Sequence, residues 1–355
     1  MTMRIALDAM GGDEAPGEII AGAVAALNSI DDNDQIILVG KEPVIKDHLE
    51  RLSKTATISA EAKSVVNLPS LQKRLKIVHA PEVVEMDESP VEAIRKKRKS
   101  SLAVMIQMAA DGEADVLISA GNTGAFVAGS QMRMGKLPGV LRPGILVVFP
   151  TFGGPVAVCD VGANIAPKPS HLHQYAVMAT IYMREVMHMK APTVGLISIG
   201  QEDAKGNEIV RSANQMMRDD ERLKFVGNVE PRDFLNHPAD VLVCDGFVGN
   251  VILKLTEGLA EALFKTIAVE LKRQKPDIIE HFKPIVESLY AKHDYIEYGG
   301  APLLGINGTC IICHGSSNAR AIERSILTVR EQLRFDINRT ISEQLQCDQV
   351  EESLS

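Results

Sequence analysis

The sequence predicts an α/β protein with a mainly parallel sheet covered by helices on both faces. Two observations carry this. Short apolar runs alternate with stretches of helical periodicity along most of the chain, as parallel strands joined by crossover helices require. Four of those runs, at residues 5–13, 116–124, 156–164 and 241–250, end in turns of Gly, Asn and Asp. Such turns leave backbone N–H groups unpaired at helix N-termini, where the helix dipole adds to their pull on anions. Four of them suggest several strand ends converging on one crevice.

The first strand is expected at residues 4–8. Pro16 and Glu18 suit a first helical turn, and that helix should run to about Asn28. A strand at 35–39, a helix at 44–52 and a strand at 75–79 follow. Residues 55–70 show no period and read as a surface excursion. A helix at 90–110 leads to a strand at 116–119 and a helix at 123–134. Strands at 145–149 and 156–161 precede a helix at 171–189, a strand at 194–198, a helix at 208–218, and strands at 224–226 and 241–244. Residues 251–298 hold two helical patterns around Lys275-Pro276 with no strand between them, so a protruding helical hairpin is expected, its first helix at 249–273. A strand at 310–313 and a long helix from Asn318 to about Gln346 complete the chain. The expected organisation is a single large α/β domain over residues 1–346, with a disordered tail at 347–355.

Composition bounds the function. Apolar residues make up 45% of 355, enough for a sizeable core, and with 4% aromatics and no Trp that core must be aliphatic and Met-rich. A formal charge of −8 argues against generic nucleic-acid binding. Cys159, Cys244, Cys310, Cys313 and Cys347 are scattered and odd in number, so no disulfide framework is expected. No apolar run approaches the ~18 residues of a transmembrane segment, and the N-terminus enters a strand with no signal-peptide pattern. A cytoplasmic protein is expected, with peripheral membrane contact left open.

Among the motifs, Asp245-Gly246-Phe247-Val248-Gly249-Asn250 is the sharpest. Its glycines permit close backbone approach, and Asn250 offers two donors and an acceptor at the expected helix entrance. The competing reading is an ordinary strand–helix turn. Residues 200–208 place Lys205 beside Gly206, where it suits a phosphate, an acidic partner or plain solvent. Arg95-Lys96-Lys97-Arg98-Lys99 is a basic block in an acidic protein, either a solvated face or a dock for acidic groups. Cys310-Ile311-Ile312-Cys313-His314 matches a haem-attachment string, but it reads as a buried strand whose residues three apart face opposite ways. His171 and His173 do not share a helix face, so no metal site is expected. His314, beside Gly315 at a helix entrance, remains a site candidate.

These motifs in this order resemble the PlsX family, the acyl-carrier-protein:phosphate acyltransferases. The resemblance runs from Arg4 to about Arg330. It rests on residues 8–13, 119–124, 160–164, 200–208, 228–230, 245–250, 298–305 and 314–317, with 89–101 also similar. The family commonly has Thr where Val248 stands, Asp where Ala166 stands and Lys where Ile312 stands. The resemblance implies a three-layer α/β/α sandwich of the isocitrate and isopropylmalate dehydrogenase-like kind. It also implies a cytoplasmic homodimer loosely associated with the membrane; no cofactor is expected. The implied reaction is reversible transfer of a fatty acyl group from acyl-carrier protein to inorganic phosphate. The acyl phosphate would then feed a membrane glycerol-phosphate acyltransferase in phospholipid synthesis.

Phosphate is itself a nucleophile, so no activated Ser or Cys is needed and the task is largely positioning. Phosphate and substrate contacts are expected at Asp8, Gly11, Gly12, Gly121, Asn122, Thr123, Gly124, Asn164, Asp245, Gly246 and Gly249. Asn250 is expected to donate to the thioester oxygen as charge develops. Lys205 is expected to neutralise phosphate or touch the carrier, and His314 to serve if a proton donor is used. Arg95, Lys96, Lys97 and Arg98 are the expected carrier dock. Leu255, Leu259, Leu263, Phe264 and Ile267 lie at helical spacing, suited to a subunit interface or to lipid. Three rivals stand: an acyl-coenzyme A-dependent phosphate acyltransferase, a dehydrogenase on the related fold, and a non-enzymatic membrane scaffold of lipid synthesis. For the dehydrogenase, no nucleotide or metal fingerprint is found.

Overall fold

Aliphatic runs too apolar to face water on either side become buried parallel strands. The computed structural model describes residues 2–54, 73–274 and 299–354, and the chain forms two compact units, Met1–Pro143 with Tyr298–Ser355, and Gly144–Glu297. The first unit begins with β1 (Arg4–Asp8), α1 (Gly17–Ala26), β2 (Gln35–Gly40), α2 (Glu42–Lys54), β3 (Leu75–His79), α3 (Pro90–Lys96), α4 (Ser101–Ala110), β4 (Val116–Ser119) and α5 (Thr123–Arg133). The second holds β5 (Gly144–Thr151), β6 (Gly154–Cys159), α6 (Pro169–Glu185), β7 (Thr193–Ile197), α7 (Glu208–Asp219), β8 (Lys224–Val229), a 3-10 turn (Pro231–Asn236), β9 (Val241–Val243) and α8 (Gly246–Gln274). The chain then returns to the first unit with β10 (Ala301–Leu304), β11 (Thr309–Ile312), α9 (Ala319–Arg334) and α10 (Ile337–Leu354).

In the first unit the strand order is β3-β2-β1-β4-β11-β10. All pairs are parallel except β10 with β11. Ile5, Leu7, Ile36, Leu38, Ile118 and Ile311 turn one face toward Ile20 and Val24 of α1 and Ile322 and Ile326 of α9, forming one core. Those two helices touch backbone to backbone: a β-carbon at Gly22 would stand 2.5 Å from the Ala319 carbonyl oxygen. The Glu18 carboxylate accepts from the Ala319 amide at 2.6 Å, capping α9. The opposite face carries α5, whose Ser130 lies 3.7 Å from the Cys310 sulfur, while Cys313 meets Ser325 of α9 at 3.3 Å. The two cysteines thus face opposite layers, and burial pushes their thiols up to about 12 and about 11.

In the second unit the order is β5-β6-β9-β7-β8, antiparallel at β5/β6 and parallel elsewhere. The fully buried rings of Tyr175 and Tyr182 anchor α6. Phe149 and Phe234 meet edge to face at 5.1 Å, a geometry the ring quadrupoles favour. His171 accepts from the Lys168 amide and His173 pairs with Asp220, so the two rings go to separate partners.

The structure departs from the sequence expectations at five places. The helix expected over 90–110 is two helices, because Ser100 accepts from the Ala103 amide and starts α4 afresh. The helix expected over 318–346 breaks at Asp336, which adopts a φ of 45°. The tail expected to be disordered beyond Gln346 is the end of α10 instead; with Ile341 and Leu345 buried, each further turn is cheap to add. β10 had not been expected. α8 begins at Gly246 rather than Gly249. The second half of the expected helical hairpin, and the excursion at 55–70, lie outside the described residues.

Candidate active site

In the first unit, three loops leave the carboxyl ends of the neighbouring strands β1, β4 and β11. Asp8 closes β1 and is 4% exposed. Ser119 donates to Asp8 Oδ2 at 2.9 Å and accepts from the Gly121 amide at 3.0 Å. The Met10 amide donates to Asp8 Oδ1. Burial pushes the Asp8 carboxyl above its ordinary value, against hydrogen bonds from Ser101, Ser119 and the loop amides. The glycines allow the close fit: a β-carbon at Gly11 would stand 2.7 Å from the Gly121 nitrogen. Gly12, at a φ of 117°, lies where a side chain is strained. The Asp13 amide donates to the Gly315 carbonyl at 2.8 Å, tying in the β11 loop.

Asn122 starts α5, and its carboxamide is spent inside the protein. Oδ1 accepts from the Ala125 amide, and Nδ2 reaches the carbonyls of Glu85, Met86 and Glu88. What the turn offers a ligand is backbone: the Thr123 and Gly124 amides have no hydrogen-bond partner among the described residues. Two open donors at a helix N-terminus suit an anion. His314 stands on the β11 loop with its Nδ1 2.7 Å from Ser316 Oγ. That nitrogen also accepts from the Ser316 amide, which leaves Nε2 as the protonated, donating nitrogen of a neutral ring.

In the second unit the β6 loop is organised by Asp160, which is fully buried. Its carboxylate accepts from the amides of Ile145, Gly162, Ala163 and Asn164. Burial raises its pKa and these bonds oppose the rise. Asn164 donates to Tyr175 Oη at 2.7 Å, and its carbonyl accepts the Gly246 amide at 2.8 Å. Asp245 caps α8, its Oδ1 accepting from the Val248 amide at 2.9 Å. The entrance of α8 is therefore largely satisfied by the protein itself. Gly246 and Gly249 are needed for packing, since a β-carbon at Gly246 would stand 2.8 Å from Asp160 Oδ2. Asn250 lies inside the helix rather than at its mouth, and is exposed.

Lys205 is exposed on the β7 loop, its stem lying over Gly200. In the basic block, Lys97 bonds the Val83 carbonyl and Glu88, and Lys96 pairs with Glu92 at 2.8 Å. Arg95, Arg98 and Lys99 are exposed and have no ion pair among the described residues. Sequence reasoning passed over Ser119 and Asp160 as site residues. Each lies in a strand-end turn, at residues 116–124 and 156–164, and their buried hydrogen bonds organise the loops. Among the described residues no group of three or more His, Cys, Asp or Glu is placed to hold a metal ion.

Residues 3–339 match the family model described as fatty acid synthesis protein. A phosphate acyltransferase of Halothermothrix orenii is 44% identical over 98% of this chain and 99% of its own length. That of Heliobacterium modesticaldum is 45% identical over 97% and 98%. In fold, the chain is similar to the EutD phosphotransacetylase from Staphylococcus aureus, with a TM-score of 0.56, 15% identity, and 93% and 94% of the two chains covered. It is also similar to 4-hydroxythreonine-4-phosphate dehydrogenase from Klebsiella pneumoniae, with a TM-score of 0.51, 12% identity, and 95% and 98% covered. These neighbours share the related α/β fold with its large, mostly parallel sheet. With a match over nearly its whole length, the chain belongs to the PlsX family of phosphate acyltransferases, acyl-transferring enzymes of fatty acid and phospholipid synthesis.

Proposed function

We propose that this enzyme transfers a fatty acyl group from acyl-carrier protein to inorganic phosphate, reversibly, giving acyl phosphate. The observation that carries the reading is the α5 entrance, where the open Thr123 and Gly124 amides adjoin a loop held by the buried Asp8. A phosphate oxygen attacks the thioester carbonyl carbon, the C–O bond forms and the C–S bond breaks. The proton of the hydrogen phosphate ends on sulfur, so acyl phosphate and free thiol balance the step. Asn250 is assigned to donate to the thioester oxygen, a contact worth about 3 kcal/mol in such sites. Lys205 is assigned a phosphate or carrier contact, and His314 Nε2 a proton-donating role.

The exposed Arg95 and Arg98 favour an acidic protein donor over coenzyme A. Exposed Leu255, Leu259, Leu263 and Ile267 recur every fourth residue on α8, which supports a homodimer covering that row. Peripheral association with the inner face of the cell membrane, and delivery to a membrane glycerol-phosphate acyltransferase, complete the proposal. No helix among the described residues is long and apolar enough to cross a membrane. The test is product formation from palmitoyl-carrier protein and labelled phosphate, beside palmitoyl-coenzyme A. Labelled acyl phosphate from the carrier supports the reading. Product from coenzyme A alone moves the assignment to the rival donor, and no product from either removes it.

A further inference from the structure

The carboxyl ends of β6, β9 and β7 lie side by side, because Cys159 pairs with Val243 and Val243 with Leu196. Beyond each end, a large apolar side chain is left in solvent. Ile165 is 75% exposed, Phe247 63% and Ile199 82%. The first two are held at one level by the hydrogen bond from the Gly246 amide to the Asn164 carbonyl. A single exposed isoleucine is ordinary on a protein surface. Three beyond neighbouring strand ends, where open α/β sheets bind their ligands, are not scattered. The Ile165 loop is pinned by the Gly162, Ala163 and Asn164 amides bonding to Asp160, itself tied to β5 by the Ile145 amide, so the apolar group is presented rather than left to fold away.

We propose that Ile165, Ile199 and Phe247 form a platform for the fatty acyl chain, and so set the preference for long over short acyl groups. This rests on the acyl-transfer reading above. A long-chain acyl donor is polar at its reacting end and apolar beyond it. Here polar loop backbone and exposed aliphatic side chains occur together: Ile165 directly follows Asn164, and Ile199 precedes the Lys205 loop. Phe247 also begins the exposed row on α8, which a second copy of the chain would cover. Ile165 and Ile199 lie off that helix, so they carry the test.

The experiment compares kcat/KM for butyryl- and palmitoyl-carrier protein with inorganic phosphate, in wild type and in the Ile165→Ser/Ile199→Ser double variant. Melting temperature and oligomeric state are measured alongside. The expected result is a loss of at least about ten-fold for palmitoyl, with butyryl within about two-fold, since only the long chain loses apolar contact. A Phe247→Ala variant should show the same selectivity to a smaller degree. An equal loss for both donors would assign these residues a structural role and overturn the proposal. So would an unchanged ratio, or a change confined to oligomeric state. Wild-type protein inactive on every donor would instead overturn the acyl-transfer reading itself.

Discussion

Gly249 lies so close to Asp160 that a β-carbon on it would overlap the Asp160 carbonyl oxygen. The first turns of α8 and the β6 loop are thereby packed backbone to backbone, beneath a carboxylate that already holds four amides. Replacing a helical glycine by alanine ordinarily gains about 1 kcal/mol. Here the clash is with main chain that cannot swing aside. Gly249→Ala should therefore lower stability by about 2 kcal/mol or more. Gly258, in the same helix, has no atom near its would-be β-carbon, and Gly258→Ala should raise stability by about 0.5–1 kcal/mol. Thermal denaturation of the pair separates packing from propensity; a stabilised Gly249→Ala protein would contradict the contact.

Asn250 is exposed one residue further along α8 and makes no side-chain hydrogen bond among the described residues. Its removal costs the fold nothing that the structure shows. Asn250→Ala should keep its melting temperature and lose at least about ten-fold in turnover, as expected for one donor to a developing oxyanion. Turnover near that of wild type, at unchanged stability, would take Asn250 out of the mechanism.

The basic block divides into residues that hold the protein and residues that face outward. Lys97 bridges the Val83 carbonyl and Glu88, so Lys97→Ala should show first as a lower melting temperature. Arg95→Glu with Arg98→Glu should weaken carrier binding by about ten-fold at low salt and flatten its salt dependence, because exposed charges act through screened attraction. Titration with purified carrier at two ionic strengths decides this. Identical isotherms for the variant and wild type would make the block a solvated face.

The short buried strands were legible because runs such as Ile5-Ala6-Leu7 and Val116-Leu117-Ile118 are too apolar for any exposed face. β10 was not, since Ala301–Leu304 contains Pro302 and lies between Gly300 and Gly305, so locally it reads as turn. The break at Asp336 carries no glycine or proline to announce it. The division into units at Pro143 and Tyr298 is accompanied by Pro143-Gly144 and Gly299-Gly300, but such pairs also mark ordinary turns, so they do not announce a boundary. At the site, sequence showed where amides come free at strand ends, but not what else takes them. Asn122 spends its carboxamide on carbonyls more than thirty residues earlier. Gly246 gives its amide to Asn164. Those partners are set by tertiary packing, and no local pattern encodes them.

Asp220 ends α7 within reach of His173 on α6 and Arg222. Burial would raise its pKa, but hydrogen bonds from His173 at 2.7 Å and from Arg222 outweigh it and hold the carboxyl well below its ordinary 3.8. A carboxylate with a depressed folded pKa contributes stability that is fully present above the unfolded value and is lost as pH falls through the folded one. The α6–α7 contact should therefore be intact at neutral pH and weaken below about pH 4. Asp220→Asn keeps the shape and removes the charge, which should cost about 2 kcal/mol at pH 7. Melting curves of the two proteins should converge as pH is lowered from 4 toward 2. A gap that stays constant across that range would show that the carboxylate charge does not hold the two helices together.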